Sequence, residues 1–183
     1  MQNNEKTTKR VERSAKECAF LATFVALLIA VQLAFSMLAG IELVTALFVV
    51  YALVMGAFRG MVVATCFSLL RCLLFGFFPT VLILYLVYYN LLAVGFGLLG
   101  KLPLCMFWKT LCVVATACVC TVLFTLLDDF ITPWYYAYTP EATRAYFFAS
   151  LPIMFGQIVC VGVSVAVLFY PLHKAFSYLH KKL

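Results

Sequence analysis

The sequence predicts an all-α integral membrane protein: a six-transmembrane-helix bundle with its N- and C-termini cytoplasmic. Three observations carry this expectation. Hydrophobic residues make up 66% of the chain and charged residues 11%, with a mean hydropathy of +1.09. A soluble domain sits nearer roughly 45–50% apolar and about 25% charged. The apolar residues gather into blocks close to the ~20 residues that cross ~30 Å of hydrocarbon. Positive charge collects at alternate joints between these blocks, as the positive-inside rule requires.

Residues 1–17, MQNNEKTTKRVERSAKE, read as a polar cytoplasmic tail of mixed charge, amphipathic or disordered, ahead of a membrane domain at 18–172. Six spans are expected in that domain, at 18–39, 42–58, 60–78, 80–99, 104–127 and 146–170. The first is long for the apolar core of a signal peptide and lacks a small-residue cleavage pattern, so it reads as a retained helix. Gly and Pro are the expected breakers at the joints. Gly40–Ile41, Arg59–Gly60, Pro79 and Gly100–Lys101–Leu102–Pro103 are short, and Asp128–Ala145 is longer. Gly56, Arg59 and Gly60 favour a turn between two spans that otherwise resemble one long helix. Residues 173–183 form a basic cytoplasmic tail, and no internal repeat is evident.

Orientation follows from charge. Lys6, Lys9, Arg10, Arg13 and Lys16 in the leading tail share a side with Arg59, Lys101, Lys109, Lys174, Lys181 and Lys182. The opposite side carries Glu42, Asp128, Asp129 and Glu141, with Arg144 as its basic residue. The formal charge of +6 is therefore a topology signal and not a nucleic-acid surface. Trp108 beside Lys109, and Trp134 with Tyr135, Tyr136 and Tyr138, fit aromatic belts on the two faces. Eight cysteines lie almost wholly within apolar blocks, where a disulfide framework has no oxidising compartment. Cys118 and Cys120 are two apart, so on a helix they diverge by about 200°, a poor metal pair. The cysteines read as small packing residues.

The candidate functional residues are the polar ones inside the spans. An intramembrane arginine costs about 2.5–3.5 kcal/mol on insertion scales, and such groups face the bundle interior. Counted from Gly60, Arg71 lies roughly 16 Å deep, near mid-membrane. Similar counting brings Asn90 and Gln157 to about that level and Gln32 a little further outward. Tyr85 and Tyr89, at i and i+4, share a helix face there. The set reads as a binding cavity, whereas each amide alone reads equally as interhelical glue. Arg71 has no acidic partner at its own depth, although its stem could reach an outer carboxylate.

Asp128 and Asp129 are expected to close the fifth helix, either solvated at the surface or rimming a cavity with Trp134 and PWYYAY. That aromatic loop is either a lid or an interfacial belt. On helix 1, Ala22, Ala26 and Ala30 recur every fourth residue, a stripe that allows close approach by another helix. The approaching helix could belong to this chain or to a separate protein. The chain carries no Walker A loop, GxSxG or HExxH, and its histidines, His173 and His180, lie in the tail. No nucleophile, base, metal or cofactor constellation emerges.

Several stretches are similar to one known family. IELVTALFVVYALVMG (41–56), LLFGF (73–77), the Tyr85–Tyr89 stretch and YPLHKAF (170–176) resemble the substrate-binding (S) components of energy-coupling factor transporters. The similarity runs from helix 1 to the carboxyl end. It implies a six-helix bundle, not itself an enzyme, with a substrate cavity in the outer half built by helices 4 to 6 and the adjoining loops. It also implies docking on a transmembrane coupling protein through an A-x-x-x-A stripe, matched by Ala22 and Ala26 and extended by Ala30, with two ATPase subunits beneath. The chain departs from that pattern at Arg71, where an acidic residue is usual. Met154 and Gln157 replace an Asp and a His, and Cys160–Val161 replaces Gly-Asn.

The expected function is capture of a vitamin or similar micronutrient at the bacterial cell membrane, with no cofactor and no metal. Arg71, Tyr85, Tyr89, Asn90, Gln157, Gln32 and Trp134 are the expected substrate contacts, and the cargo carries an anionic or strongly polar group. Two other classes stay open. One is a non-transporting scaffold whose polar residues are glue. The other is a surface enzyme using Asp128 and Asp129 with a metal or histidine from another chain.

Overall fold

The computed structural model describes the backbone of residues 2–35 and 43–182, and side chains from residue 14 onward within those ranges. The Gly40–Ile41 joint, Glu42 and the side chains of Lys6, Lys9, Arg10 and Arg13 lie outside the described residues. Among the described residues the regular structure is entirely helical: α1 (Gln2–Phe35), α2 (Leu43–Met55), α3 (Ala57–Phe75), α4 (Pro79–Leu99), α5 (Met106–Tyr135) and α6 (Pro140–Lys182). Five of these contain a stretch long and apolar enough to cross a membrane, and α2, at 13 residues, is shorter. The chain is a multi-pass membrane protein built as a helical bundle.

The backbone of the polar lead-in is helical, since α1 runs back to Gln2 without a break. The joint between α2 and α3 is Gly56 alone, not Arg59–Gly60. Gly56 takes φ 88°, a left-handed conformation natural to glycine. Arg59 lies within α3 and pairs with Glu17, on α1, at 2.8 Å. The expected connection at Asp128–Ala145 shrinks to Tyr136–Thr139, since α5 continues to Tyr135 and α6 begins at Pro140. Thr139 accepts the Ala142 N–H at 3.3 Å, and Pro140 at the first helical position suits the start of α6. At 43 residues α6 is about 64 Å long, so both its ends extend beyond a ~30 Å hydrocarbon layer.

Short α2 is the axis of the bundle. It packs against each of the other five helices, and most of its residues are buried. A helix that is apolar all round belongs in such a position. Around it, α1 packs on α3, α3 on α4, α4 on α5 and α5 on α6. The ring closes through aromatic contacts. Phe24 of α1 stacks on Tyr51 of α2 at 4.0 Å and meets Phe176 of α6 edge-on at 5.4 Å.

The tightest seam joins α4 to the α2–α3 turn. A Cβ on Gly97 would strike the Ala57 backbone, and one on Gly100 would strike the Leu53 carbonyl. A Cβ on Gly60 would stand 3.0 Å from that of Ala93. Small residues let helix backbones meet in this way. On α1, by contrast, Phe24, Val25, Leu28 and Ile29 face the core, and Ala22, Ala26 and Ala30 are exposed. No helix of this chain covers the alanine stripe among the described residues.

These contacts bring Arg59, Lys101, Lys109, Lys174 and Lys181 to one end of the bundle, called the basic end. The joints at Gly76–Phe78 and Tyr136–Thr139 lie at the other, aromatic end.

Candidate binding site

Two polar groupings lie towards the aromatic end. The first surrounds Arg71. With α3 ending at Phe75, Arg71 is about 6 Å from the end of its helix. Its guanidinium lies over the Tyr85 ring at 4.0 Å and 5.4 Å from the centre of Phe75. Its Nε is buried without a hydrogen-bond partner. Among the described residues no carboxylate lies within ion-pair distance of Arg71. Aromatic faces surround the guanidinium in place of an outer carboxylate, an arrangement worth about 0.5–2 kcal/mol.

The second grouping lies between α5 and α6, where the sequence pointed to helix end and loop. Asp128 and Asp129 sit inside α5, and each is tied to α6. Tyr146 donates its hydroxyl to Asp128 Oδ2 at 2.8 Å, and Thr132, one turn on, donates to Oδ1 at 2.8 Å. Ser150 donates to Asp129 Oδ2 at 2.7 Å, and Asp129 is 8% exposed with Oδ1 buried and unpartnered. Neither carboxylate is simply solvated at the surface. Buried carboxylates hold charge only when hydrogen-bonded or paired; the hydroxyls of α6 give each carboxylate one bond, and Asp129 Oδ1 is left without one.

Beside these carboxylates a cleft of about 200 Å³ opens, lined by Phe124, Thr125, Asp128, Tyr146, Ser150 and Gln157 among others. Thr125 Oγ1 stands 3.5 Å from Gln157 Oε1 across it. The volume corresponds to about seven waters. Hydroxyls, an amide and a carboxylate from both helices converge there, with Phe124, Ala149 and Ile153 as the apolar lining. That combination is the usual make-up of a small-molecule site.

The structure brings some of the sequence-predicted residues together and separates others. Arg71 and Tyr85 touch, and Tyr85 meets Phe124 edge-on at 5.8 Å. Arg71, Tyr85, Phe124 and Gln157 therefore occupy neighbouring positions at one level. Phe124 stands between the cation and the cleft. Tyr89 turns into the core against Phe48 and Phe67, at 5.1 and 5.2 Å. Asn90 is deeper, bonding the Leu86 carbonyl of its own helix at 2.8 Å and reaching Thr65 of α3 at 3.4 Å. The expected common level therefore does not include it. Gln32 is half-buried on α1, a helix packed on α2 and α3 and away from the cleft. Trp134 is 76% exposed and does not line the cleft.

Sequence reasoning overlooked Thr125, Tyr146 and Ser150. Their signal was present in TPEATRAY, which starts a helix at Pro140 and so faces Tyr146 and Ser150 towards Asp128 and Asp129. The aromatic joint is linked to the same place, with Tyr136 stacked on Tyr138 at 6.2 Å and Tyr138 edge-on to Tyr146 at 6.1 Å. No family model, curated protein or solved structure matches the chain.

Proposed function

We propose that the chain is the substrate-specific membrane subunit of an energy-coupling-factor-type importer in a bacterial cell membrane. In this reading it has six spans with both termini cytoplasmic, and it captures a micronutrient such as a vitamin at the aromatic, outward end. The observation that carries the proposal is the cleft between α5 and α6, with Asp128, Tyr146, Ser150, Thr125 and Gln157 converging on a volume of about 200 Å³. The exposed Ala22, Ala26 and Ala30 edge adds support, because it is free to meet a coupling component that sits on two ATPase subunits.

The cargo is small and polar. An anionic group was the other expectation, and the cleft favours it less: its lining includes Asp128 and no basic residue. Arg71 acts through the Tyr85–Phe124 wall as a positive field near the cleft, and Arg71→Met tests that role by ligand affinity.

The deciding experiment is mass spectrometry of small molecules carried through purification of the full chain, beside an Asp128→Asn/Gln157→Leu variant. A polar molecule present in the first and missing from the second supports the reading. No molecule in either, together with stable assembly of partners on α1, favours the non-transporting scaffold.

A further inference from the structure

At the basic end α5 begins at Met106, and the last turns of α6 pass beside it. Between them lies an open groove of about 450 Å³, lined by Met106, Tyr170, His173, Lys174, Ser177 and Lys181 among others. Lys174, Ser177 and Lys181 are spaced i, i+3 and i+7, so they share one face over about 10 Å. Lys109, one turn into α5, lies within electrostatic range of His173. No carboxylate lines the groove. Among the described residues Lys109, Lys174 and Lys181 take part in no ion pair. Cys105 offers no side-chain cap to α5, so the first N–H groups of that helix add partial positive charge at the groove's edge.

The surroundings match a membrane interface. Trp108, Tyr170 and Tyr178 are exposed beside the groove, as aromatic residues are at headgroup level. From Tyr170 an exposed apolar stripe of Val167, Val163 and Val159 continues along α6 towards the bundle's middle. The groove thus joins a cationic head-end to an apolar track.

We propose that this groove holds the phosphate of an anionic phospholipid, with Lys174 and Lys181 as its main contacts and Lys109 and the α5 N-terminus behind them. Basic pockets between transmembrane helices hold phospholipid headgroups by this chemistry. A free phosphate would satisfy the lysines equally well, but it would leave the valine stripe unused. The inference is independent of cargo and of the importer reading.

The test uses the full chain purified in detergent and native mass spectrometry with added phosphatidylglycerol or phosphatidylcholine. Phosphatidylglycerol should be retained in preference to phosphatidylcholine. Lys174→Gln/Lys181→Gln should weaken phosphatidylglycerol binding about 30-fold. Lys101→Gln, in a different groove, should leave it within about twofold. Ser177→Asp, which keeps both lysines and adds a carboxylate, should weaken it as well. Equal retention of the two lipids, or equal loss in the Lys101 variant, would overturn the site. Displacement of the lipid by millimolar inorganic phosphate would overturn the choice of a lipid over a free anion.

Discussion

The pairs α3–α4 and α5–α6 are both built from long, apolar, antiparallel neighbours, and they close in opposite ways. In the first, Gly60 meets Ala93, Gly97 meets the Ala57 backbone, and Arg71 is laid against aromatic faces. In the second, carboxylates on one helix accept hydroxyls from the other, and an open cleft remains beside them. Close packing leaves no room for a solute. Hydrogen bonding between longer side chains leaves donors and acceptors facing the gap beside them. Two ways of joining helices therefore decide which side of the bundle can bind something.

The sharpest break of this contrast is Gly97→Val or Gly100→Val. Either should destabilise the bundle by about 3 kcal/mol or more, because the new side chain meets backbone that cannot move aside. Loss of monodisperse protein on size-exclusion chromatography would show it, and normal thermal stability would show that the seam is looser than described. Ser150→Ala comes next. It leaves a second oxygen of Asp129 without its donor and should cost about 1–3 kcal/mol in thermal unfolding, and the Ser150→Thr variant should recover most of that loss.

Arg71→Met should change stability by about 1 kcal/mol or less, since a cation–π contact is exchanged for an apolar one. Ligand affinity is its informative readout: an unchanged value would confine Arg71 to holding α3 on α4. Smallest in stability is Ala22→Trp or Ala26→Trp, on an exposed edge, within about 0.5 kcal/mol. Such a variant should still bind ligand and should fail to co-purify with a coupling component. Normal co-purification would remove that edge from the importer reading.

Much of the helical plan was legible because span-length apolar blocks are a strong signal; the fourth, read at 80–99, is Pro79–Leu99. The errors have a common physical origin in long-range partners. Arg59 reads as part of a joint because Gly56 and Gly60 flank it, whereas the structure keeps it helical and pairs it with Glu17, 42 residues earlier. Asp128 and Asp129 read as the end of the fifth helix because the apolar block stops there, whereas the hydroxyls of Tyr146 and Ser150 reach them inside it. The axial position of α2 was hidden as well, since a helix apolar on every face shows no periodicity pointing to its neighbours. The common depth of Arg71 and Asn90 failed because one residue's shift of a joint moves a depth estimate by about 1.5 Å, and three such shifts accumulate. Gln157 lines the cleft, and the residues around it were missed because α6 begins earlier than a polar, aromatic stretch suggests.

Gly56 also bears on what the α2–α3 turn needs from its surroundings. It is the lone non-helical residue between α2 and α3. Its N–H still donates to the Ala52 carbonyl at 2.9 Å, while its own carbonyl accepts from Gly60 at 3.1 Å. The turn therefore leaves neither of these backbone groups of Gly56 bare, which is the condition hydrocarbon imposes on any segment it accepts. The chain reverses at this point without calling on water to satisfy the residue that makes the reversal.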